Sequence, residues 1–385
     1  MFPTDAIGKD YLFTAIGNAK ARHEKITGRK ALSLGIGDCT LPIPEIAAKA
    51  MKTASDELKT ESGFRGYSKS TGYDFLKEKI IFEYSLKGVK IDKDEIFIND
   101  GAKSELLRLA VLFSGGKRAL VPCPVYPVYE NTARICKNSV AYLFGNEKNG
   151  FLPDDIIPSD VIYICSPNNP TGEVYGENSL KKLFKKAAEY NSTIVFDGAY
   201  TCFINGNLFE TVYNIENSRE RVIEVHSFSK SASFTGVRCG FTVIPKENPL
   251  NASLKLLYDT GFNGVSYITQ RGAEALFSEK GKESVRKNVE KVLENSKYIK
   301  NELSKISERV YGGEKSPYVF AKTPRGMNSE DFFRYLLDKY SVVAVYGSGF
   351  GKGGENYMRY SAFGSPETVK ECVKRIISAY SRLTL

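Results

Sequence analysis

Ser227-Phe228-Ser229-Lys230 is followed eight residues on by Arg238, with small residues and Gly236 between them. A buried lysine amine can attack an aldehyde to form a Schiff base. Two hydroxyls and a guanidinium around the same turn can hold a phosphate, because guanidinium–oxyanion pairs form strong, charge-assisted hydrogen bonds. An aldehyde and a phosphate meet in one common cofactor, pyridoxal 5′-phosphate (PLP). Lys230 is one of 54 lysines and arginines in a chain of 385 residues, and most lysines are solvated surface charges. The chemistry therefore needs partners elsewhere in the chain.

Several stretches offer them. Ser166-Pro167-Asn168-Asn169-Pro170-Thr171-Gly172 directly follows an apolar run. It reads as an ordinary turn or as a site for the Asn169 amide to donate to a cofactor's phenolic oxygen. Asp197 ends the run Ile194-Val195-Phe196. It is a helix cap or surface carboxylate, or the partner of a pyridinium N–H, which keeps such a ring an electron sink. Tyr200 could share the phenolic oxygen. Gly101-Ala102-Lys103-Ser104 opens a helix, and free backbone N–H groups there suit a phosphate. Tyr126 is an interior aromatic or a stacking partner for a flat ring. Arg359, charged within Tyr357-Met358-Arg359-Tyr360, either grips an α-carboxylate with two hydrogen bonds or sits on an exposed strand edge.

These residues need a scaffold. Apolar runs at Glu95–Asn99, Arg118–Pro122, Val140–Phe144, Val161–Cys165, Thr193–Asp197, Val222–His226 and Gly240–Ile244 predict strands. Helical patterns such as Ser104–Phe113 and Leu180–Tyr190 lie between them. The alternation predicts an α/β fold with a mainly parallel seven-stranded sheet flanked by helices. In such sheets ligands sit at the carboxyl ends of strands, where Asp197 and Ser227 fall. One long charged helix spans Gly281–Ile306, and the pattern then changes to strand, helix, strand, helix. The expected organisation is a large domain over 40–275 and a smaller α+β domain made of 1–39 and 276–385.

Composition narrows the function further. A formal charge of +9 invites acidic partners, but 45 acidic residues are interleaved with the basic ones. Runs such as Lys181-Lys182-Leu183-Phe184-Lys185-Lys186 suit the wet face of a helix rather than a nucleic-acid groove. Seven scattered cysteines without a CxxC pair predict reduced, mostly buried thiols. Two histidines, His23 and His226, are too few for a histidine-rich zinc site, and a histidine-based triad is improbable on so few. The start lacks a signal-peptide pattern and no apolar stretch reaches membrane-spanning length, so a cytoplasmic protein is expected, without metal, membrane or nucleic-acid partners. Gly347-Ser348-Gly349-Phe350-Gly351-Lys352-Gly353 fails as a nucleotide loop: Tyr346 stands where the first glycine is needed and no hydroxyl residue follows Lys352.

Asn169-Pro170-Thr171-Gly172, Asp197-x-x-Tyr200, Ser227-x-Ser229-Lys230, Arg238 and Arg359 together resemble, in order and approximate spacing, the class I/II aminotransferases, PLP-dependent transferases of fold type I. The resemblance implies that Lys230 holds the cofactor as a Schiff base and shuttles the proton between Cα and C4′. It implies that Asp197 pairs with the pyridine nitrogen, and Asn169 and Tyr200 with the phenolic oxygen. Ala102, Lys103, Ser227, Ser229 and Arg238 would surround the phosphate, while Gly37 and Arg359 hold the substrate carboxylate. It further implies a homodimer with shared sites, Tyr67 reaching the neighbour's phosphate, and an amino acid and a 2-oxo acid as substrates.

A narrower resemblance runs through Tyr11-Leu12-Phe13, Leu34-Gly35-Ile36-Gly37-Asp38, Phe64-Arg65-Gly66-Tyr67, Asp100-Gly101-Ala102-Lys103, Phe262-Asn263-Gly264, Ser316-Pro317-Tyr318 and Ser361-Ala362-Phe363-Gly364. These segments are similar to LL-diaminopimelate aminotransferases of lysine biosynthesis, which use 2-oxoglutarate and glutamate as the second pair. By that likeness Tyr11, Lys103, Tyr126, Asn169 and the partner subunit's Asn263 line the substrate pocket. Two departures stand out. Ser70 occupies the place where an acidic residue is expected to read the distal amino group, and Tyr346 replaces a proline. Ser70 leaves open an aminotransferase for a different amino acid, and the shared constellation leaves open a PLP-dependent lyase.

Overall fold

Val161–Cys165 and Thr193–Asp197 are buried at every position, as strands covered on both faces must be, and they pair in parallel. They form the middle of a seven-stranded sheet in a computed structural model that describes residues 11–35 and 37–384. Residues 1–10, Ile36 and Leu385, which fall in the expected smaller domain, lie outside the described residues. Across the sheet the order is Ile96–Asn99, Gly240–Val243, Val222–Ser227, Thr193–Asp197, Val161–Cys165, Arg118–Cys123 and Ser139–Phe144. All seven expected strands form. Gly240–Val243 alone is reversed, antiparallel to both its neighbours. The carboxyl ends of Ile96–Asn99, Arg118–Cys123, Val161–Cys165, Thr193–Asp197 and Val222–Ser227 therefore meet at one edge.

The helices follow from apolar spacing. Glu177–Glu189 buries Leu180, Leu183, Phe184 and Ala187, one stripe at three- and four-residue steps. Its lysines face outward, with Lys182 Nζ 2.7 Å from Asp154, so the lysine run is a solvated face as expected. Glu279–Leu303 starts at Ser278, whose hydroxyl accepts from the Gly281 N–H at 3.2 Å. No helix among the described residues is long and apolar enough to cross a membrane. All seven cysteines are unpaired, and six of them are buried.

A second, antiparallel sheet has the order Val345–Tyr346, Tyr357–Ser361, Tyr318–Lys322, Val310–Gly312. Leu32–Ser33, far away in sequence, pairs in parallel with Val342–Val343. Arg359 lies on an interior strand of the four-stranded sheet and is 0% exposed, which corrects the reading that placed it on an exposed edge. The glycines of the 347–353 loop serve close packing: a Cβ on Gly351 would stand 2.4 Å from Cys123 Sγ. Tyr346 packs on Phe333 with the rings tilted at 59° and their centroids 5.5 Å apart.

The Asn169–Gly172 turn is where the two sheets touch. Gly172 has φ +73°, and a Cβ there would meet the Tyr318 carbonyl oxygen at 2.3 Å and Gly312 Cα at 2.8 Å. Backbone strain and overpacking add here. Gly172→Ala is expected to lower unfolding free energy by about 2–4 kcal/mol in urea titration; a loss below about 0.5 kcal/mol would show that the two sheets are not held apart by backbone contact.

Candidate active site

At the shared edge of strand ends a cleft of about 610 Å³ opens, lined by polar side chains from both sheets. Gly37, Ala102, Lys103, Tyr126, Asn169, Asp197, Tyr200, Ser227, Ser229, Lys230, Arg238 and Arg359 all border it. Twelve positions inferred from sequence are thus gathered from stretches scattered over more than three hundred residues.

Lys230 lies on a short helix whose start is capped by Ser227, the Ser227 hydroxyl accepting from the Ser229 N–H at 3.2 Å. Its Nζ donates to the Gly37 carbonyl and lies 5.2 Å from the Phe363 ring centroid. Burial pulls the amine down from 10.5 to about 8, with Asp38 pulling the other way. Lowering the pKa enlarges the share of neutral amine, the form a nucleophile needs.

Asp197 is buried beside it in the sheet's edge. Its carboxylate accepts from the Tyr129 hydroxyl at 2.7 Å and from the Ala199 N–H at 3.0 Å. The second contact closes a tight turn, the following helix Cys202–Asn205 starts at Thr201, and Asp197 is buried, so it is neither a helix cap nor a surface carboxylate. Burial pushes the carboxyl upward, and Tyr129 opposes the shift. Sequence reasoning missed Tyr129, in the first turn of the Val128–Ile135 helix, whose ring meets that of Tyr126 edge-on with centroids 5.9 Å apart.

The Ala102–Leu112 helix begins at the cleft, behind Gly101 at φ +108°. A Cβ on Gly101 would stand 2.4 Å from Arg238 Nη2, so only glycine lets the guanidinium lie against the helix start. Arg238 itself has φ +65°, a strained backbone for its residue type. Its Nη1 donates to the Thr235 carbonyl at 3.0 Å and reaches Ser229 Oγ at 3.4 Å. Ser227 donates to Ser229 at 3.0 Å. Free N–H groups, two hydroxyls and two cations, Lys103 and Arg238, thus converge.

Arg359 enters from the second sheet. Its Nη1 donates to Asn169 Oδ1 at 2.8 Å and its Nη2 to the Gly35 carbonyl at 2.7 Å, while the buried Nε has no partner among the described residues. Tyr318, Phe13 and Phe350 surround the guanidinium with ring centroids 4.4–5.3 Å away. Accepting from Arg359 turns the Asn169 amide so that its N–H bonds remain available as donors. Tyr200 pairs with Tyr318, hydroxyl to hydroxyl at 2.8 Å. Burial raises both Tyr200 and Tyr126, keeping them protonated donors. A Cβ on Gly37 would be 2.9 Å from the Tyr318 hydroxyl, so a side chain there would close this corner. Tyr318 was quoted within a motif but given no role. Tyr11 contacts Tyr126, oxygen to oxygen at 3.4 Å, and lies under Lys103 Nζ at 4.6 Å.

Tyr67, Ser70 and Asn263 are not brought into this cleft. Tyr67 is 89% exposed, and its loop packs on the 259–264 segment, where a Cβ on Gly264 would meet the Lys69 carbonyl oxygen at 2.3 Å. Ser70 donates to Asp259 Oδ1 at 2.5 Å. The acidic group missing from position 70 is thus present beside it, from another helix. Asp259 also pairs with Lys255 at 2.6 Å, and Lys255 with Ser70 holds its carboxyl below the usual range.

The cleft suits PLP on several counts: a buried carboxylate for the ring nitrogen, donors for the phenolic oxygen, a cation-rich helix start cleared by Gly101, and a lysine amine. The buried, partly unpartnered guanidinium suits a carboxylate. A sheet and site of this kind define a PLP-dependent transaminase. The family model described as aminotransferase class I and II matches residues 29–376, and the chain belongs to that family. An LL-diaminopimelate aminotransferase of Prochlorococcus marinus strain MED4 is 40% identical over 96% of each chain. The structure of L,L-diaminopimelate aminotransferase from Chlamydomonas reinhardtii superposes with a TM-score of 0.91 at 34% identity over 98% of each chain. Substrate-bound BacF from Bacillus subtilis gives 0.87 at 27% identity, covering 98% of this chain and 96% of that one.

Lys230 generates a stability prediction. Its shift from 10.5 to about 8 corresponds to roughly 3 kcal/mol held against the cofactor-free fold while the buried amine is charged. Between about 8 and 10.5 the unfolded chain binds the extra proton, so stability rises with pH across that window. Cofactor-free Lys230→Met is expected to be more stable than its parent at pH 7, by up to about 3 kcal/mol, with the gap closing by pH 10. A gap independent of pH would contradict a desolvated amine.

Proposed function

We propose that this transaminase exchanges the amino group of LL-diaminopimelate with 2-oxoglutarate, using PLP held at Lys230. The observation that carries the chemistry is the convergence on one cleft of half-buried Lys230 with buried Asp197 and Arg359. PLP, when bound, supplies an electron sink for the carbanion formed on loss of the Cα proton.

The protein's residues do the rest. Arg359, backed by Asn169 and the Gly35 carbonyl, holds the α-carboxylate and so fixes which bond at Cα faces Lys230. Lys230 Nζ, whose pKa burial lowers to about 8, would be the base that takes the Cα proton of the bound substrate. Asp197, oriented by the Tyr129 hydroxyl, would accept from the ring N–H of the cofactor. Tyr200 and Asn169 would donate to the phenolic oxygen, and Ser227, Ser229, Arg238, Lys103 and the Ala102 N–H would hold the phosphate.

The distal end of the substrate needs an anion. Ser70 and Asp259 together offer one on an outward-facing segment that also carries Tyr67 and Asn263. In a homodimer with shared sites that segment faces the neighbour's cleft. Leu107 and Val111 on one helix and Leu256 on another that packs against it are exposed near it, which supports pairing through this face. The second sheet, which brings Arg359 and Tyr318 to the cleft, supports a smaller domain made of 1–39 and 276–385 beside a large one over 40–275.

Mixing the PLP-loaded protein with glutamate is expected to release 2-oxoglutarate, and a donor screen with LL-diaminopimelate, lysine, glutamate and aromatic amino acids to favour the first. Ammonia and pyruvate from cysteine-like substrates would instead indicate elimination. Asp259→Asn is expected to lower kcat/KM for LL-diaminopimelate by about 10–100-fold while leaving glutamate within twofold; equal loss on both donors would remove Asp259 from specificity.

A further inference from the structure

Glu105 is a charged residue with 0% exposure that the chemistry above leaves unused. It lies on the first turn of the Ala102–Leu112 helix, whose first residues, Ala102 and Lys103, border the cleft. Its carboxylate accepts from Thr242 Oγ1 at 2.9 Å and from the Tyr258 hydroxyl at 2.7 Å, and it pairs with Arg108. Burying a carboxylate here pushes it upward, and Arg108 pulls it back. Replacing such a group with apolar packing is commonly neutral or stabilising, so stability alone does not account for a carboxylate at this position.

Two arms leave it. On one side Asn99 Nδ2 donates to Thr242 Oγ1 at 3.0 Å, and Asn99 Oδ1 accepts from the Gly101 N–H at 3.0 Å. Gly240 leaves room for this, since a Cβ there would stand 2.7 Å from Asn99 Oδ1. This arm ends at the glycine that lets Arg238 reach the helix start. On the other side Tyr258 and Arg108 lead to Phe262: the Arg108 guanidinium lies 4.8 Å from the Tyr258 ring centroid and 4.3 Å from that of Phe262. Phe262 directly precedes Asn263.

We infer that Glu105 is a positioning residue that sets two things at once, the phosphate cradle of its own cleft through Thr242, Asn99 and Gly101, and the Phe262–Asn263 segment through Tyr258 and Arg108. The second half rests on the proposed sharing of sites, in which that segment serves the neighbouring subunit. A single buried carboxylate then ties cofactor seating in one cleft to substrate contacts in the other.

Variants of one atom separate the arms. In the full-length protein, PLP affinity is measured by absorbance titration, KM for the amino donor at saturating PLP, and folding by thermal denaturation. Thr242→Val is expected to raise the PLP dissociation constant at least fivefold with KM within twofold. Tyr258→Phe is expected to do the reverse, and Glu105→Gln to move both. Should Glu105→Gln fail to fold, the other two still decide. A Thr242→Val protein that binds PLP within twofold of the parent overturns the cradle arm. A Tyr258→Phe protein with unchanged KM overturns the segment arm. Two variants that shift both quantities alike would reduce the network to general packing. A parent that binds PLP yet fails to transaminate strikes at the proposed reaction, and Thr242→Val still tests the cradle by binding alone.

Discussion

Unpaired charge under cover is the constraint around which this molecule is organised. Half-buried Lys230 and buried Asp197 and Arg359 line one cleft, and each is shifted or left partly unsatisfied by its surroundings. A protein core does not accumulate such groups for stability, because desolvating each costs several kcal/mol. They persist where the surrounding framework is rigid enough to carry them, and where a ligand of complementary charge completes the set. Here the framework is a sheet whose central strands are buried on both faces, with a second sheet pressed against it at Gly172.

Much of this was legible in the residues. The strands of the main sheet were marked by apolar runs, most cleanly in the centre, where strands covered on both faces have no polar alternation to blur the signal; Ser139–Phe144, at the sheet's edge, is partly exposed. The cofactor-facing positions were legible for a related reason: Asp197, Asn169 and Lys230 are polar residues at the ends of apolar strands, where a polar side chain is conspicuous. Tyr129 and Tyr318 were not. A buried tyrosine that orients a carboxylate looks, in sequence, like any aromatic in a core, and only its hydroxyl's partner distinguishes it. Arg359 carried two readings because strand order is a tertiary property: nothing within Tyr357–Ser361 reveals that strands flank it on both sides.

Ser70 illustrates the opposite limit. Position by position the chain lacks an expected carboxylate, yet Asp259 places one against the Ser70 hydroxyl from a helix nearly two hundred residues away. Charge at a site is a property of a volume, not of an alignment column, and two segments that pack together can trade it. The same holds on the cofactor side, where Gly101 has its effect only through the arginine that lies over it.

The single reversed strand, Gly240–Val243, has a geometric effect of its own. A wholly parallel sheet offers its functional rim nothing but the places where strands finish. Turning one strand around lets a strand's beginning arrive at that rim, and with it the loop that bears Arg238. Were Gly240–Val243 to run the other way, its four residues would carry the guanidinium roughly 13 Å toward the far side of the sheet. The anchoring cation is thus a product of strand polarity as much as of residue identity.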